Sequence, residues 1–407
     1  MNINERIELA ETALKDVFSR IDAIELSNTE KILNAFKEEN ISYRHFAPST
    51  GYGYDDIGRD TLSRVYAKVL GTESALVRPQ IASGTHALAL AMQGVLRPGD
   101  VLLCASGRPY DTLEEVIGLT GESGNGSLIE YGIEYRECPL TENGEIDLDK
   151  MRSMIDDRVR LVHIQRSRGY AWRPALTVEQ INEAIAAVHA VSDRVVVMLD
   201  NCYGEFCQTE EPHADLIAGS LIKNPGGGIA PTGGYIAGRT DLVDLVAYRM
   251  TSPGIGAEVG SYAASYQPFY QGLFLAPHVT AQAIKTSALA AKVFGDMGYA
   301  VEPAYDSDRN DIIQAIRFED ADKLIAFVRA IQAVSPVDSY VVPEPWSMPG
   351  YQDPVIMAAG TFVAGASIEL SADAPIRAPY IGYLQGGLTY AHGRIAIKLA
   401  AEQMEKL

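Results

Sequence analysis

Lys223 closes the apolar run Ser220-Leu221-Ile222-Lys223 and is followed at once by Asn224, Pro225 and three glycines. An ammonium at the end of a buried strand is disfavoured in its charged form. The pKa of Lys223 is therefore expected to fall, toward the neutral amine that condenses with an aldehyde. A lysine in such a setting can also snorkel to solvent, and for any single lysine that is the commoner outcome. Asp200, 23 residues earlier, ends the apolar run Val195-Val-Val-Met-Leu-Asp200. A carboxylate there is costly unless paired, so a cation is expected beside it: a protonated pyridine nitrogen, or an arginine in a purely structural pair. Ser83-Gly84-Thr85-His86 follows a strand-like run and opens a helical one. Free N–H groups at such a start attract an anion, and Gly84 lets a phosphate approach. Helix capping by Ser83 or Thr85 accounts for the same residues. Tyr110, in Arg108-Pro-Tyr-Asp-Thr112, can stack on a flat ring or pack at a loop–helix corner. Together these groups provide a phosphate cradle, a stacking ring, a carboxylate for a ring nitrogen and an amine for an aldehyde.

The elements that must position them alternate. Short apolar runs at 75–79, 101–104, 133–138, 159–165 and 194–201 are separated by helical periods, including 86–96 and a capping box at Thr177 to Gln180 that opens a helix through His189. Two more strand-like runs, DLIAGSLIK and GGYIAGR, follow. Repeated strand-then-helix units predict an α/β fold with a mostly parallel, seven-stranded-type sheet covered by helices, in which ligands sit beyond the carboxyl ends of the strands. After about residue 270 the texture changes to a smaller α+β region. The expected division is an N-terminal helical arm (1–50), a large α/β domain (51–270) and a small C-terminal domain (271–407), which the N-terminal helix joins. Pro225 and Gly226–Gly228 predict a tight turn that lets the next strand pass close by, under the ligand.

The 407 residues carry a formal net charge of −19, a field that repels nucleic acid and anionic membranes. No Asp/Glu/His group has metal-ligand spacing, and the four cysteines include no C-x-x-C pair, as expected of reduced, structural thiols in the cytoplasm. No signal-like core or 18-residue apolar run is present. The glycines at 226–228 follow the lysine instead of preceding it, so a Walker-type nucleotide loop is excluded.

The segments SGTHA (83–87), PYDT (109–112), LDN (199–201) and SLIK (220–223) resemble pyridoxal-phosphate (PLP) enzymes of the aspartate-aminotransferase fold, in their Cys/Met-metabolism branch. GYGYDDIGRDTL (51–62), IQRSRGYAWRP (164–174), KNPGGGIAPTGGYIAGR and YLQGGLTYAHGR (383–394) are similar to the cystathionine β-lyase and methionine γ-lyase relatives associated with aluminium resistance, over nearly the whole chain. The resemblance implies that Lys223 holds pyridoxal 5'-phosphate through its amine and then acts as base at the substrate Cα. Asp200 would hold the ring nitrogen, Tyr110 would stack on the ring and assist in proton transfer, and Ser83, Gly84, Thr85 and Ser220 would hold the phosphate. Tyr54 of the neighbouring subunit would reach the same phosphate, with Tyr52 and Arg59 close in sequence, and Arg377 would clamp the substrate carboxylate, with Arg394 as alternative. In place of the family's S-x-T-K, Ile222 removes one hydroxyl. QRSRGY (165–170) replaces an Asn-Pro loop, and its Arg166, Ser167 or Arg168 would serve cofactor or substrate. The implied activity is carbon–sulfur elimination from a sulfur amino acid by a homodimer or homotetramer with shared sites. An aminotransferase, or a PLP-binding stress-response protein without turnover, are the alternatives.

Overall fold

The structure, a computed structural model, describes residues 2–348 and 350–407; Met1 and Pro349 lie outside them. Two helices lead, α1 (Ile3–Ala13) and α2 (Lys15–Glu38), with α3 (Ile57–Leu70) following. The large sheet then forms from β1 (Ser74–Arg78), β2 (Val101–Cys104), β3 (Glu134–Glu137), β4 (Val159–Gln165), β5 (Val196–Asp200), β6 (Leu216–Ser220) and β7 (Gly234–Gly238). Between and after these strands run α4 (Gly84–Val95), α5 (Asp111–Ile117), α6 (Leu148–Ser153), α7 (Val178–His189) and α8 (Thr240–Met250). The long α9 (Gln267–Asp296) leads to a second sheet of β8 (Ala300–Glu302), β9 (Gln314–Arg317), β10 (Val355–Ala358), β11 (Ser371–Pro375) and β12 (Ile381–Gln385). Helices α10 (Ala321–Gln332) and α11 (Tyr390–Met404) cover that sheet.

The large sheet has the order β1-β7-β6-β5-β4-β2-β3, and only β7 runs against its neighbours. Because side chains alternate across a strand, Leu102 and Cys104 face the α4/α5/α8 layer, while Val101 and Leu103 face α3, α6 and α7. Burial on both faces is why these strands read as continuous apolar runs. Helix ends follow their caps. Ser83 accepts from the His86 amide at 3.0 Å to start α4, and Thr177 and Gln180 form the expected capping box of α7.

The second sheet, β10-β11-β12-β9-β8, is antiparallel throughout and shares a core with α9, α10 and α11. Ile3, Ile7 and Ala10 of α1, spaced to fall on one helix face, enter the same core. Ile7 and Leu14 are fully enclosed, and each such side chain stabilises by about 2 kcal/mol. Residues 270 and 271 lie inside the uninterrupted α9.

The glycines after Lys223 differ from expectation in what they pack against. Asn224–Gly226 form a 3₁₀ turn, and Gly227 and Gly228 are left-handed, with φ of +54° and +76°. A Cβ on Gly227 would stand 2.4 Å from the Gly272 carbonyl of α9, and one on Gly228 2.3 Å from Leu388 Cδ2. The turn therefore presses against α9 and the α11 approach, and the ordering of the residues after Lys223 depends on that contact. Gly227→Ala combines a left-handed alanine with a backbone collision and is expected to destabilise the protein by about 3 kcal/mol, read as a lowered urea midpoint at unchanged slope.

Candidate active site

Strands β1, β2, β4, β5 and β6 point the same way, so their carboxyl ends share one edge of the sheet. Ser83, Gly84, Thr85, Tyr110, Asp200, Ser220 and Lys223 all follow or end such strands, and all of them line one cavity of about 240 Å³. The topology thus brings together residues spread over 140 positions of chain (223 − 83).

At the phosphate-like end, a Cβ on Gly84 would lie 3.3 Å from Cys202 Sγ, 3.5 Å from Ser220 Cβ and 4.0 Å from Lys223 Nζ. A side chain at 84 would fill the space between the α4 N-terminus and the lysine. Ser220 Oγ is buried and has no hydrogen-bond partner among the described residues, whereas Ser83 Oγ is engaged in its cap. Thr85 Oγ1 shares a 2.9 Å hydrogen bond with Thr112. The cradle is thus built around one orphaned hydroxyl and the free amides of a helix start, which suits an anion with several oxygens.

Asp200 is buried, and its Oδ1 accepts from the Cys202 amide at 3.1 Å. Among the described residues no Lys, Arg or His nitrogen lies within 4.0 Å of its carboxylate. The cation expected from the sequence is therefore not a protein side chain. Lys223 Nζ lies over the Tyr203 ring, 3.8 Å from its centroid, where the ring quadrupole attracts a cation. Tyr203 itself is left-handed at φ +72°.

The expected fall in the Lys223 pKa is corrected by the structure. Burial does favour the neutral amine, but the acidic side chains gathered around it, the Asp200 carboxylate among them, outweigh it and hold the ammonium above the ordinary lysine value. The apolar flank is local in sequence, whereas the acids are gathered only by folding. Tyr110 is shifted in the same direction. Burial first, then Tyr170 and Tyr351, hold its phenol well above the usual range. Its amide donates to Gln165 Oε1 at 2.9 Å, and its hydroxyl shares a 3.0 Å hydrogen bond with Tyr351.

Two further chambers open from this cavity. One, of about 430 Å³, shares Tyr110, Gln165 and Gly169 with it and carries Arg168 and Arg377. Arg377 donates to Asp353 at 3.0 Å and is about half exposed. Arg394 faces elsewhere, donating from α11 to Glu11 of α1 at 2.8 and 3.2 Å. Arg166 is wholly buried against Asn201 and Glu211 and does not line the cavity. Arg168 is tied to the Glu302 carbonyl at 2.9 Å, and Ser167 donates to Asp311. Tyr52 and Tyr54 are 70% and 60% exposed and do not line this chain's own cavity. Arg59 is enclosed by Asp60 and the Gly53 carbonyl.

Cys202, Tyr203, Glu205, Tyr351 and Asp373 surround the site without having been singled out in the sequence. An available signal was an acid inside an apolar segment, as in Asn201-Cys-Tyr-Gly-Glu-Phe206 and Ser371-Ala-Asp-Ala374. Glu205 is fully buried; its Oε1 accepts from Tyr235 at 2.8 Å and its Oε2 has no partner among the described residues. Burial pushes its carboxyl up to about 8. A folded pKa above the unfolded one means that the native state holds the extra proton, so this group's stabilisation is lost as pH rises from the ordinary carboxylate range through 8. Glu205→Gln is expected to flatten that loss, worth on the order of a few kcal/mol, in urea midpoints of the ligand-free proteins measured from pH 5 to 9.

A separate cavity of about 360 Å³, between α2, α9 and residues 206–209, contains none of these groups. No described helix is long and apolar enough to cross a membrane.

Comparison with known proteins follows the same lines. The methionine gamma-lyase family model matches residues 3–405. The uncharacterized protein YnbB of Bacillus subtilis (strain 168) is 50% identical over 397 residues, 97% of this chain and 94% of that protein. The crystal structure of a carbon-sulfur lyase involved in aluminum resistance from Clostridium novyi NT matches with a TM-score of 0.94 at 51% identity, covering 98% of this chain and 94% of that one. At 13% identity, the pyridoxal-5'-phosphate dependent protein YhfS from Escherichia coli still gives a TM-score of 0.63 over 95% of this chain and 97% of its own, a likeness of fold alone. The α/β architecture is that of fold type I PLP-dependent enzymes, as the sequence resemblance implied. With a family model spanning residues 3–405 and a half-identical relative over nearly its full length, this chain belongs to the methionine gamma-lyase family.

Proposed function

We propose that the chain is a PLP-dependent carbon–sulfur lyase that releases a thiol from a sulfur-containing amino acid by β- or γ-elimination. One observation carries the reading. A buried amine, Lys223, shares a cavity with a carboxylate that lacks a cation, Asp200, and with an orphaned hydroxyl, Ser220. These three deficiencies match a phosphorylated pyridine aldehyde: Lys223 for the aldehyde, Asp200 for the ring N–H, Ser220 and the Gly84–Thr85 amides for the phosphate. Tyr110 supplies the stacking face, and Tyr54 of the partner subunit completes the phosphate shell of a homodimer or homotetramer. The bound cofactor would act as an electron sink for charge developing at the substrate Cα. Within that frame, Lys223 takes the Cα proton and Arg377, released from Asp353, orients the substrate carboxylate in the outer chamber. Asp200 keeps the ring nitrogen protonated.

The lyase named in the Clostridium novyi structure supports elimination over transfer. The decisive experiment offers purified protein a panel of thioether amino acids without an amino acceptor. Release of oxo acid, ammonia and thiol is expected. Strict dependence on an added oxo acid would instead make the chain an aminotransferase, and bound cofactor with no turnover would make it a non-catalytic binding protein.

A further inference from the structure

Elimination leaves a departing sulfur that needs a proton, and the ring-stacking tyrosine is poorly placed to give one. The Tyr110 hydroxyl is engaged with Tyr351, and burial holds both phenols above their usual range. A second chamber, of about 160 Å³, continues from the Lys223 cavity, with Tyr110, Tyr203, Tyr351 and Gly365 lining both. Its far wall is the start of β11 and the paired end of β12, and the acid on that wall is Asp373. Asp373 Oδ2 accepts from Gln385 Nε2 at 3.1 Å, while no hydrogen bond from a described residue reaches Oδ1. The residue is half-buried, and no described Lys, Arg or His stands within 4.0 Å of it. Its carboxyl thus faces a small chamber that is continuous with the Lys223 cavity through four shared residues, with the Tyr170 phenol as its other polar neighbour.

We propose that Asp373 is the proton donor to the departing sulfur; the inference rests on the elimination read above. The Lys223 amine removes the Cα proton, and the C–S bond breaks with its electron pair on sulfur. The Asp373 carboxyl gives that sulfur its proton, so a neutral thiol leaves. The carboxylate regains a proton from solvent before the next turnover. An acid in this role must carry its proton near neutral pH. Burial pushes Asp373 up to about 7, against the Gln385 hydrogen bond, Tyr170 and the positive field of Lys223. The remaining titratable groups facing it are the phenols of Tyr110, Tyr203, Tyr351 and Tyr383, all held neutral by burial.

The test uses the holoenzyme and Asp373→Asn with two substrates, S-ethylcysteine and β-chloroalanine. Ethanethiolate is a basic leaving group that needs a proton; chloride needs none. For S-ethylcysteine, kcat/KM is expected to fall about 100-fold or more, the usual scale for loss of a general acid. For β-chloroalanine it stays within about threefold, which also shows that the variant folds and is loaded. The wild type should lose S-ethylcysteine activity as pH rises through about 7, and the variant should lack that limb. Equal losses on both substrates, or no loss on either, overturn the donor role while leaving the elimination reading intact. Failure of the wild type to release pyruvate from β-chloroalanine sinks both.

Discussion

Lys223→Ala is expected to yield a folded, colourless protein whose turnover of every thioether substrate falls on the order of 10⁴-fold or more, the scale seen when a covalent catalytic group is removed. The size follows from two roles meeting at one nitrogen. The amine that would hold the cofactor would also be the base at the substrate Cα, so no other group would inherit either task. Nothing else in the 240 Å³ cavity carries an amine. The fold should survive, because Lys223 forms no ion pair among the described residues and its side chain rests on the Tyr203 ring. Its backbone, which accepts from the Gly226 amide at 3.1 Å, is untouched. Borohydride reduction of loaded wild-type protein should leave a pyridoxyl group on the peptide containing Lys223. A label found elsewhere, or retained activity in the variant, would end the assignment.

The second large effect is expected at Asp200. Asp200→Asn keeps the acceptor for the Cys202 amide and removes only the charge. Electron withdrawal by a pyridine ring requires a protonated nitrogen, and a carboxylate in a low-dielectric site stabilises that proton far better than an amide does. A loss in kcat on the order of 10²- to 10³-fold is expected, with cofactor still bound through Lys223. A second readout needs no cofactor. Asp200 is one of the acids that raise the Lys223 pKa, so its neutralisation should lower that pKa. In the ligand-free variant, Lys223 should therefore react with an acylating probe at lower pH than in the wild type. Unchanged reactivity would place Asp200 outside electrostatic reach of the amine.

The strand-end polar residues were legible because an open parallel sheet gives them few other uses. An acid at the end of Val195–Asp200, or a lysine after Ser220-Leu-Ile, breaks an apolar run at the edge where α/β sheets bind ligands. Helix starts at Ser83 and Thr177 were legible for the equally local reason that capping is chemistry over three residues. Asp373 and Tyr351 were not. Each joins the site only because β11 and residues 350–352 fold back over α5 and the Lys223 cavity, a contact across more than 100 residues that no local period encodes. Arg394 shows the converse: its sequence context resembled a carboxylate clamp, yet α11 turns it toward Glu11.

What the chain alone determined was the order of elements, the strand ends that carry Ser83, Tyr110, Asp200, Ser220 and Lys223, and the family resemblance that joins them. Those follow from side-chain alternation, helix caps and an apolar pattern, which act over a few residues. Tertiary structure decided the ionisation of the site and its outer walls. The Lys223 pKa shows the reason. Local sequence supplies the desolvation that favours a neutral amine, but the acids that reverse the sign, Asp200 among them, lie at and just after the end of β5 and converge on it only when β5 and β6 pair side by side. Electrostatic energy depends on distance through space, and only the folded chain sets that distance.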